Sequence, residues 1–587
     1  MLSKAIDPSR APAVAVEGAP VSRIPGMSAD ASALDAAAPV ASKWRHGQGS
    51  TLLTVAIAAF IALPIVVVLL HVLVPAGEVW AHLWATVLQR YLLNSLGLVL
   101  GVGIGVTLIG VGTAWLVVMC RFPGRSLLQW ALLLPLAVPT YVIAYAYTDL
   151  LQFAGPLQSG LREIFDWGRD DYWFPEVRSL GGAIVLMSLV LYPYVYLLSR
   201  AAFIEQSVCA LEVGRTLGRG PWRLFLTVAV PLARPAIVAG VALALMETLN
   251  DFGAVQFFGV DTFTTGIYRT WFGLGEQAAA AQLAAFLLIF VFILLALERW
   301  SRRQAQYFHT SSRYRELPQY RLGPGRAALA CIACTTPVLL GFLLPAGLLL
   351  AMHLREGDPL FGNQFLTYAG NSLTLALVAA ALAVTLAVLL SYAVRLERNV
   401  VSTSAARVAA VGYAIPGSVI AVGVLIPLGW LDSRLNLFMS ERFDILPGLL
   451  FTGTMVALVY AYVVRFLAVS FNTVEASLGK ITPSMDAVSR TLGKGAGETL
   501  RRVHMPIMRG SLLAAAILVF VDVMKELPAT IILRPFDFDT LAVRAYELAS
   551  DERLAQASTS ALTIVAVGII PVILLSVAMS RSRPGSQ

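Results

Sequence analysis

Long apolar runs separated by short polar stretches fill the chain from about residue 51 onward. A helix needs about 20 apolar residues to cross the hydrocarbon core of a bilayer. Runs of that length lie at roughly 51–74, 93–119, 127–150, 181–199, 232–257, 277–297, 327–352, 370–394, 405–430, 447–471, 510–533 and 557–580, which predicts about twelve spanning helices. Pro64, Pro135, Pro139, Pro193 and Pro416 fall inside these runs, as is common where neighbouring helices satisfy the freed carbonyls. Residues 1–46 are rich in Ala, Pro and Ser, show no apolar period, and are predicted to be a disordered cytoplasmic tail. No short apolar core of a cleavable leader opens the chain, so the first run is expected to act as an uncleaved signal anchor. The pattern predicts an all-α, polytopic membrane protein.

Composition strengthens that reading. Of 587 residues, 58% are hydrophobic and only 13% charged, and the mean hydropathy is +0.75. A soluble domain carries about 25% charge, so a soluble enzyme, a secreted domain and a disordered scaffold are all excluded. The net charge of +8 matters through its placement. Arg299, Arg302, Arg303, Arg313, Arg315, Arg321 and Arg326 follow the sixth run. Arg200, Arg215, Arg219 and Arg223 precede the fifth, and Lys480, Arg490, Lys494, Arg501 and Arg502 precede the eleventh. Alternate loops lean acidic, with Glu163, Asp166, Asp170, Asp171 and Glu176 in one and Asp432, Glu441 and Asp444 in another. Positive charge marks the cytoplasmic side, which predicts that both termini are cytoplasmic and that no nucleic acid is bound. Cys331 and Cys334 lie in an apolar run with no second pair, which predicts buried thiols rather than a zinc site.

The sequence repeats itself. Arg215-Thr216-Leu217-Gly218 recurs as Arg490-Thr491-Leu492-Gly493, 275 residues later. At that offset Pro231 meets Pro506, Arg234 meets Arg509, Thr265 meets Thr540 and Arg269 meets Arg544. Asn94-Ser95-Leu96 recurs as Asn371-Ser372-Leu373, and Pro139 as Pro416, at an offset of 277. The expected organisation is a first transmembrane domain at 47–300, a basic cytoplasmic linker at 301–325, a second transmembrane domain at 326–580 and a cytoplasmic tail at 581–587. An even number of spans per half gives a parallel repeat, with a natural pathway where the halves meet.

The repeated segment lies in a polar loop between the fourth and fifth runs of each half. One copy reads Leu211-Glu212-Val213-Gly214-Arg215-Thr216-Leu217-Gly218 and reaches Pro231; the other reads Asp486-Ala487-Val488-Ser489-Arg490-Thr491-Leu492-Gly493 and reaches Pro506. Gly and Pro are thirteen residues apart in both. Gly permits a sharp turn that a Cβ obstructs, and Pro suits the first turn of the next helix. The plain alternative is a basic amphipathic loop lying on anionic lipid.

These copies resemble the EAA loop of ABC importer permeases. The resemblance implies a coupling helix that docks on a cytoplasmic ATPase through Glu212, Gly214, Gly218 and Pro231, and through Asp486, Ala487, Gly493 and Pro506. Both copies depart from the pattern. Glu-Val-Gly replaces Glu-Ala-Ala in the first, and in the second Ala487 stands where the acid belongs, with Asp486 one residue early. The chain has no Gly-x-x-x-x-Gly-Lys-Ser/Thr phosphate loop, so it is expected not to be an enzyme and to carry no cofactor.

Glu247–Val255 with Asp261–Arg269, and Met524–Thr530 with Arg534–Leu541, are similar to fused permeases of ferric-iron ABC importers. That similarity implies Fe(III) delivered by a periplasmic binding protein, two copies of the ATPase, and a bacterial inner membrane. Fused permeases for thiamine share the layout, and systems for polyamines or phosphonates share the loop. A secondary transporter driven by an ion gradient is the rival from another class; it also shows parallel repeats but gives no reason for a repeated coupling loop.

The sequence bears on cargo directly. Glu247 and Asp251 are four apart and are predicted to share a helix face; at offset 275 they meet Asp522 and Glu526. Acids within spans usually face a bundle interior or a water-filled path, and carboxylate oxygens suit hard cations. The four are expected either to line the path as a weak cation site or to be held by structural partners. Tyr141, Tyr145, Tyr192, Tyr194, Tyr196, Tyr460 and Tyr462 are assigned no iron role. His504 is expected to be solvated.

Overall fold

The computed structural model describes residues 49–205, 220–303, 319–357 and 362–581. Glu212, Gly214 and Gly218 of the first coupling loop lie outside the described residues. Among the described residues, eleven helices are long and apolar enough to span a membrane, and one bent pair fills the twelfth position. The only strand pairing described is a two-residue parallel bridge between Cys120–Arg121 and Tyr320–Arg321. It ties the end of the predicted 301–325 linker to the first half.

Within each half, small residues let helices approach closely. Along Leu88–Met119, Gly97, Gly101 and Gly105 succeed one another opposite Leu180, Ile184 and Ser188 of Leu180–Glu205. The second half uses Ala376, Ala379, Ala383 and Ala387, all fully buried, on Asn363–Leu396. On Leu88–Met119 the flank opposite buried Leu98, Val102 and Val106 exposes Leu93, Leu96, Leu100, Ile104 and Leu108, an apolar stripe facing where lipid would lie. Cys334 is buried, as the apolar run predicts, whereas Cys331 is only half-buried; Cys120 is buried as well, and none of the three forms a disulfide.

The first span of each half packs against the other half. Gly49–Leu70 lies against Val400–Ala409, Gly417–Phe443 and Asn363–Leu396. Ser50 and Thr51 hydroxyls donate to Glu397 at 2.6 Å, and the Tyr460 hydroxyl donates to the Phe60 carbonyl at 2.6 Å. Reciprocally, Pro324–Val338 lies against Leu88–Met119 and Arg125–Ala131, and the Tyr147 hydroxyl donates to the Leu340 carbonyl at 2.6 Å.

Several boundaries differ from the sequence expectation, and proline explains two of the differences. The predicted span at 127–150 is two segments, Arg125–Ala137 and Thr140–Phe165, bent by 93°. Pro139, with ψ 144°, precedes the restart. The predicted span at 405–430 is a short helix, Val400–Ala409, followed by Gly417–Phe443, which restarts directly after Pro416. A proline disfavours helical geometry in the residue before it and removes a donor, so these two prolines end and restart helices instead of lying within them. The fifth and eleventh spans begin earlier than predicted, at Trp222 and Ala496, and end at Asn250 and Met524. Pro231 and Pro506 therefore lie inside helical runs, each just after a single π-turn, Phe225–Ala229 and Leu500–His504. A missing proline N–H breaks the i to i−4 ladder, and a π-turn accommodates the break.

The repeat register also shifts. Asn94 donates to the Asp261 carbonyl at 2.9 Å, and Asn371 to the Asp539 carbonyl at 3.0 Å. The amides of Phe263 and Leu541 donate to Ser95 and Ser372. Thr262, not Thr265, is thus the counterpart of Thr540, at an offset of 278, and Arg269 is not the counterpart of Arg544. Three extra residues are absorbed near exposed Phe536 and Asp537, the latter at φ 60°.

Candidate functional site

The fifth and eleventh spans converge where the halves meet. A partly open cleft with a cavity volume of about 100 Å³ lies there, lined from both halves. All four sequence-predicted carboxylates, Glu247, Asp251, Asp522 and Glu526, line it, together with Arg465 and Lys525.

Their roles divide in a way that equal spacing does not suggest. The fifth span ends at Asn250, and Asp251 turns away with ψ 134°, so Glu247 and Asp251 do not share a helix face. Instead the Asp251 carboxylate accepts the amides of Ala254 at 3.0 Å and Val255 at 3.1 Å, and also the Thr140 hydroxyl. Glu526 accepts the amides of Ala529 at 3.0 Å and Thr530 at 3.1 Å, and the Thr530 hydroxyl at 2.7 Å. Each acid thereby satisfies the first donors of the short helix that follows, Gly253–Phe257 or Pro528–Leu533. Glu247 and Asp522, still inside their helices, keep side chains 23% and 19% exposed to the cleft.

Two cations answer the acids, both from the second half. Arg465 donates to Asn250 Oδ1 at 2.6 Å and lies 3.6 Å from Glu526 and 4.0 Å from Glu247. Gly417 gives its amide to the same Asn250 oxygen at 2.7 Å. A Cβ on Gly417 would come within 2.6 Å of both Arg465 Nη1 and Glu526 Oε1, so this position needs glycine. Lys525 pairs with Asp522 at 2.9 Å, and its counterpart in the first half, 275 residues earlier, is Asn250. Sequence reasoning passed over Arg465, though a lone guanidinium in the middle of a spanning run is a signal in its own right. Among the tyrosines, Tyr141 and Tyr194 line the cleft, joined by Tyr413, which the sequence reading did not single out. Among the described residues, no three Asp, Glu, His or Cys side chains are gathered as a ligand set for a metal.

The second copy of the repeated loop forms the helix Pro483–Thr491, with a turn at Gly493 (φ 72°). Asp486 faces inward. It accepts Arg395 at 2.8 and 3.0 Å, and His504 Nε2 lies 2.7 Å from it. Arg395 also donates to the carbonyls of Leu478 and Ile481. His504 is fully buried, which corrects the expectation of a solvated ring: the acid that stands one residue early ties this helix to the bundle. Ala487 is exposed, and Met485, Val488 and Leu492 expose 44%, 58% and 70% of their surface at spacings of three and four. The repeat positions of Asp486, Arg395 and His504 in the first half are Leu211, Val118 and Ala229, an apolar set. The first half therefore lacks the Asp–Arg–His set at the matching sequence positions.

Comparison with known proteins agrees with this architecture. Residues 106–305 match the family described as binding-protein-dependent transport system inner membrane component. The Fe(3+)-transport system permease protein FbpB 2 of Haemophilus influenzae is 26% identical over 525 residues, 88% of this chain and 96% of that protein. The molybdenum transport system permease protein ModB of Escherichia coli K12 is 30% identical over 226 residues, 38% of this chain and 93% of that protein. The chain belongs to the binding-protein-dependent inner-membrane permease family. A putative 2-aminoethylphosphonate transport system permease, PhnU of Salmonella typhimurium, is 29% identical over 211 residues, 35% of this chain and 73% of that protein. The permease is thus a fused, two-half, multi-pass transport subunit of an ABC importer. The family's description also accounts for a binding-protein partner.

Proposed function

We propose that the permease carries ferric iron from a periplasmic binding protein to the cytoplasm. The observation that carries this reading is the charge of the cleft: four carboxylates against two cations, with Glu247 and Asp522 presenting oxygen to the open space. Hard oxygen donors suit a hard trivalent cation, and an oxyanion would meet net negative charge. The relative aligned through both halves is named for Fe(3+) transport, which supports the same cargo.

Energy enters from a separate ATPase, two copies of which dock on the two coupling loops. Met485, Val488 and Leu492 form the apolar contact on the second loop. Asp486 transmits its movement through Arg395 to Asn363–Leu396 and through His504 to the eleventh span. The halves then open the cleft alternately to either side. Both termini and the 301–325 linker face the cytoplasm of a bacterial cell with an inner membrane, and 47–300 and 326–580 are the two transmembrane domains.

The test is radiolabelled uptake into proteoliposomes holding the permease, its ATPase and its binding protein. ATP-dependent ⁵⁵Fe(III) uptake that persists when the proton gradient is collapsed supports the proposal. Uptake of molybdate or 2-aminoethylphosphonate in place of iron overturns the cargo, and loss of uptake with the proton gradient overturns the energy source.

A further inference from the structure

The two open carboxylates of the cleft are equivalent by repeat position but not by surroundings. Glu247 meets its nearest cation, Arg465, at 4.0 Å. Arg465 is itself immobilised: its side chain is 5% exposed, and Asn250 and Glu526 hold it. Asp522 carries an ammonium at 2.9 Å, from Lys525, three residues further on. The Lys525 side chain is 29% exposed and stands on a flexible four-carbon stem. The first half has neutral Asn250 at that position, fixed by two hydrogen bonds. One wall of the cleft therefore carries a carboxylate with only a distant, fixed cation, and the other a carboxylate in close contact with a movable cation of the chain.

We propose that Lys525 is an exchangeable tethered counter-ion that sets a charge threshold for cargo. An entering cation first meets Glu247, and it engages Asp522 only by displacing the Lys525 ammonium. The attraction of a metal ion to a carboxylate grows with its charge, whereas the ammonium it displaces is the same for every competitor. Ions of higher charge are favoured in the exchange wherever this attraction outgrows the cost of stripping their water, and the threshold falls between divalent and trivalent ions. No covalent step is involved: the ammonium moves into the cleft and keeps its proton.

This inference rests on the cation reading above, and its test is separate from uptake. The purified full-length permease, in lipid nanodiscs, is titrated with Tb(III) as the trivalent probe. Luminescence excited through tyrosine reports binding, with Tyr141, Tyr194 and Tyr413 in the lining as donors. Ca(II) is the divalent competitor. In wild type, Ca(II) at hundredfold excess should leave the Tb(III) signal in place. Lys525→Asn, which installs the residue of the first half, should bind Tb(III) about tenfold tighter and lose signal to Ca(II). Lys525→Arg, which keeps the charge, should restore discrimination, and the paired variant Glu247→Gln/Asp522→Asn should abolish the signal. Unchanged Tb(III) affinity and Ca(II) discrimination in Lys525→Asn overturns the proposal, as does a signal that survives loss of both carboxylates. If wild type transports iron but Lys525→Asn discriminates as wild type does, only the counter-ion role falls. If wild type transports an oxyanion, the cargo reading falls first.

Discussion

Asp486 offers the sharpest test of how the coupling helix is held. Asp486→Asn keeps the shape and removes the charge that joins Arg395 and His504 to Pro483–Thr491. The Arg395 and Asp486 side chains are 17% and 23% exposed, so their pair lies between two regimes. Exposed ion pairs contribute about 0–1 kcal/mol, whereas breaking a buried pair costs about 3–5 kcal/mol. An intermediate value of about 2 kcal/mol is expected, because His504 is fully buried and loses its charged partner. That is roughly a 30-fold shift in the docked-to-undocked ratio, at about 1.4 kcal/mol per factor of ten. The assay is amide exchange across 483–491, which should speed up by about that factor while exchange in Met455–Leu478 stays unchanged. A second variant separates charge from packing. Arg395→Val/Asp486→Leu/His504→Ala transplants the apolar set that the first half carries at Val118, Leu211 and Ala229. It should recover most of the lost protection, since apolar groups often replace buried ion pairs without loss. Exchange in Asp486→Asn within threefold of wild type would refute the anchoring argument.

Three further outcomes follow from the geometry. Gly493→Val places a β-branched residue at φ 72° and should cost about 1–3 kcal/mol locally, seen as ATP hydrolysis that continues while transport falls; coupled transport at wild-type rates would contradict it. Asp251→Ala or Glu526→Ala removes a helix-start acceptor and should lower stability by about 1–2 kcal/mol in thermal unfolding, whereas Glu247→Gln, whose nearest cation stands 4.0 Å away, should lower uptake with the melting temperature held; equal melting losses in both would show the division of roles to be mistaken. Gly412→Ala drives a Cβ into the Val464 carbonyl oxygen and should cost about 2 kcal/mol or more, while Gly112→Ala meets nothing within 4 Å and should be neutral or gain up to about 1 kcal/mol; a reversed order of melting temperatures would refute the close approach at Gly412.

The sequence by itself determined the class, the number of spans and the repeat, because each depends on quantities local to the chain. A bilayer imposes the length of an apolar run, and a duplicated half keeps residues such as Asn94 and Asn371 at a common offset. It also marked Glu247, Asp251, Asp522 and Glu526, since acids in apolar runs are conspicuous. Only the tertiary structure decided what these acids do. Asp251 and Glu526 lie past the last helical residue and turn to satisfy amides that no other group reaches, while Glu247 and Asp522 remain on the wall. Spacing of four cannot distinguish these outcomes, because it assumes that the helix continues. The exchange of first spans between halves, the burial of His504 and the bridging by Arg465 were likewise beyond the sequence. Each depends on partners hundreds of residues away or on another helix, and the free energy of a buried polar group is fixed by whatever meets it there.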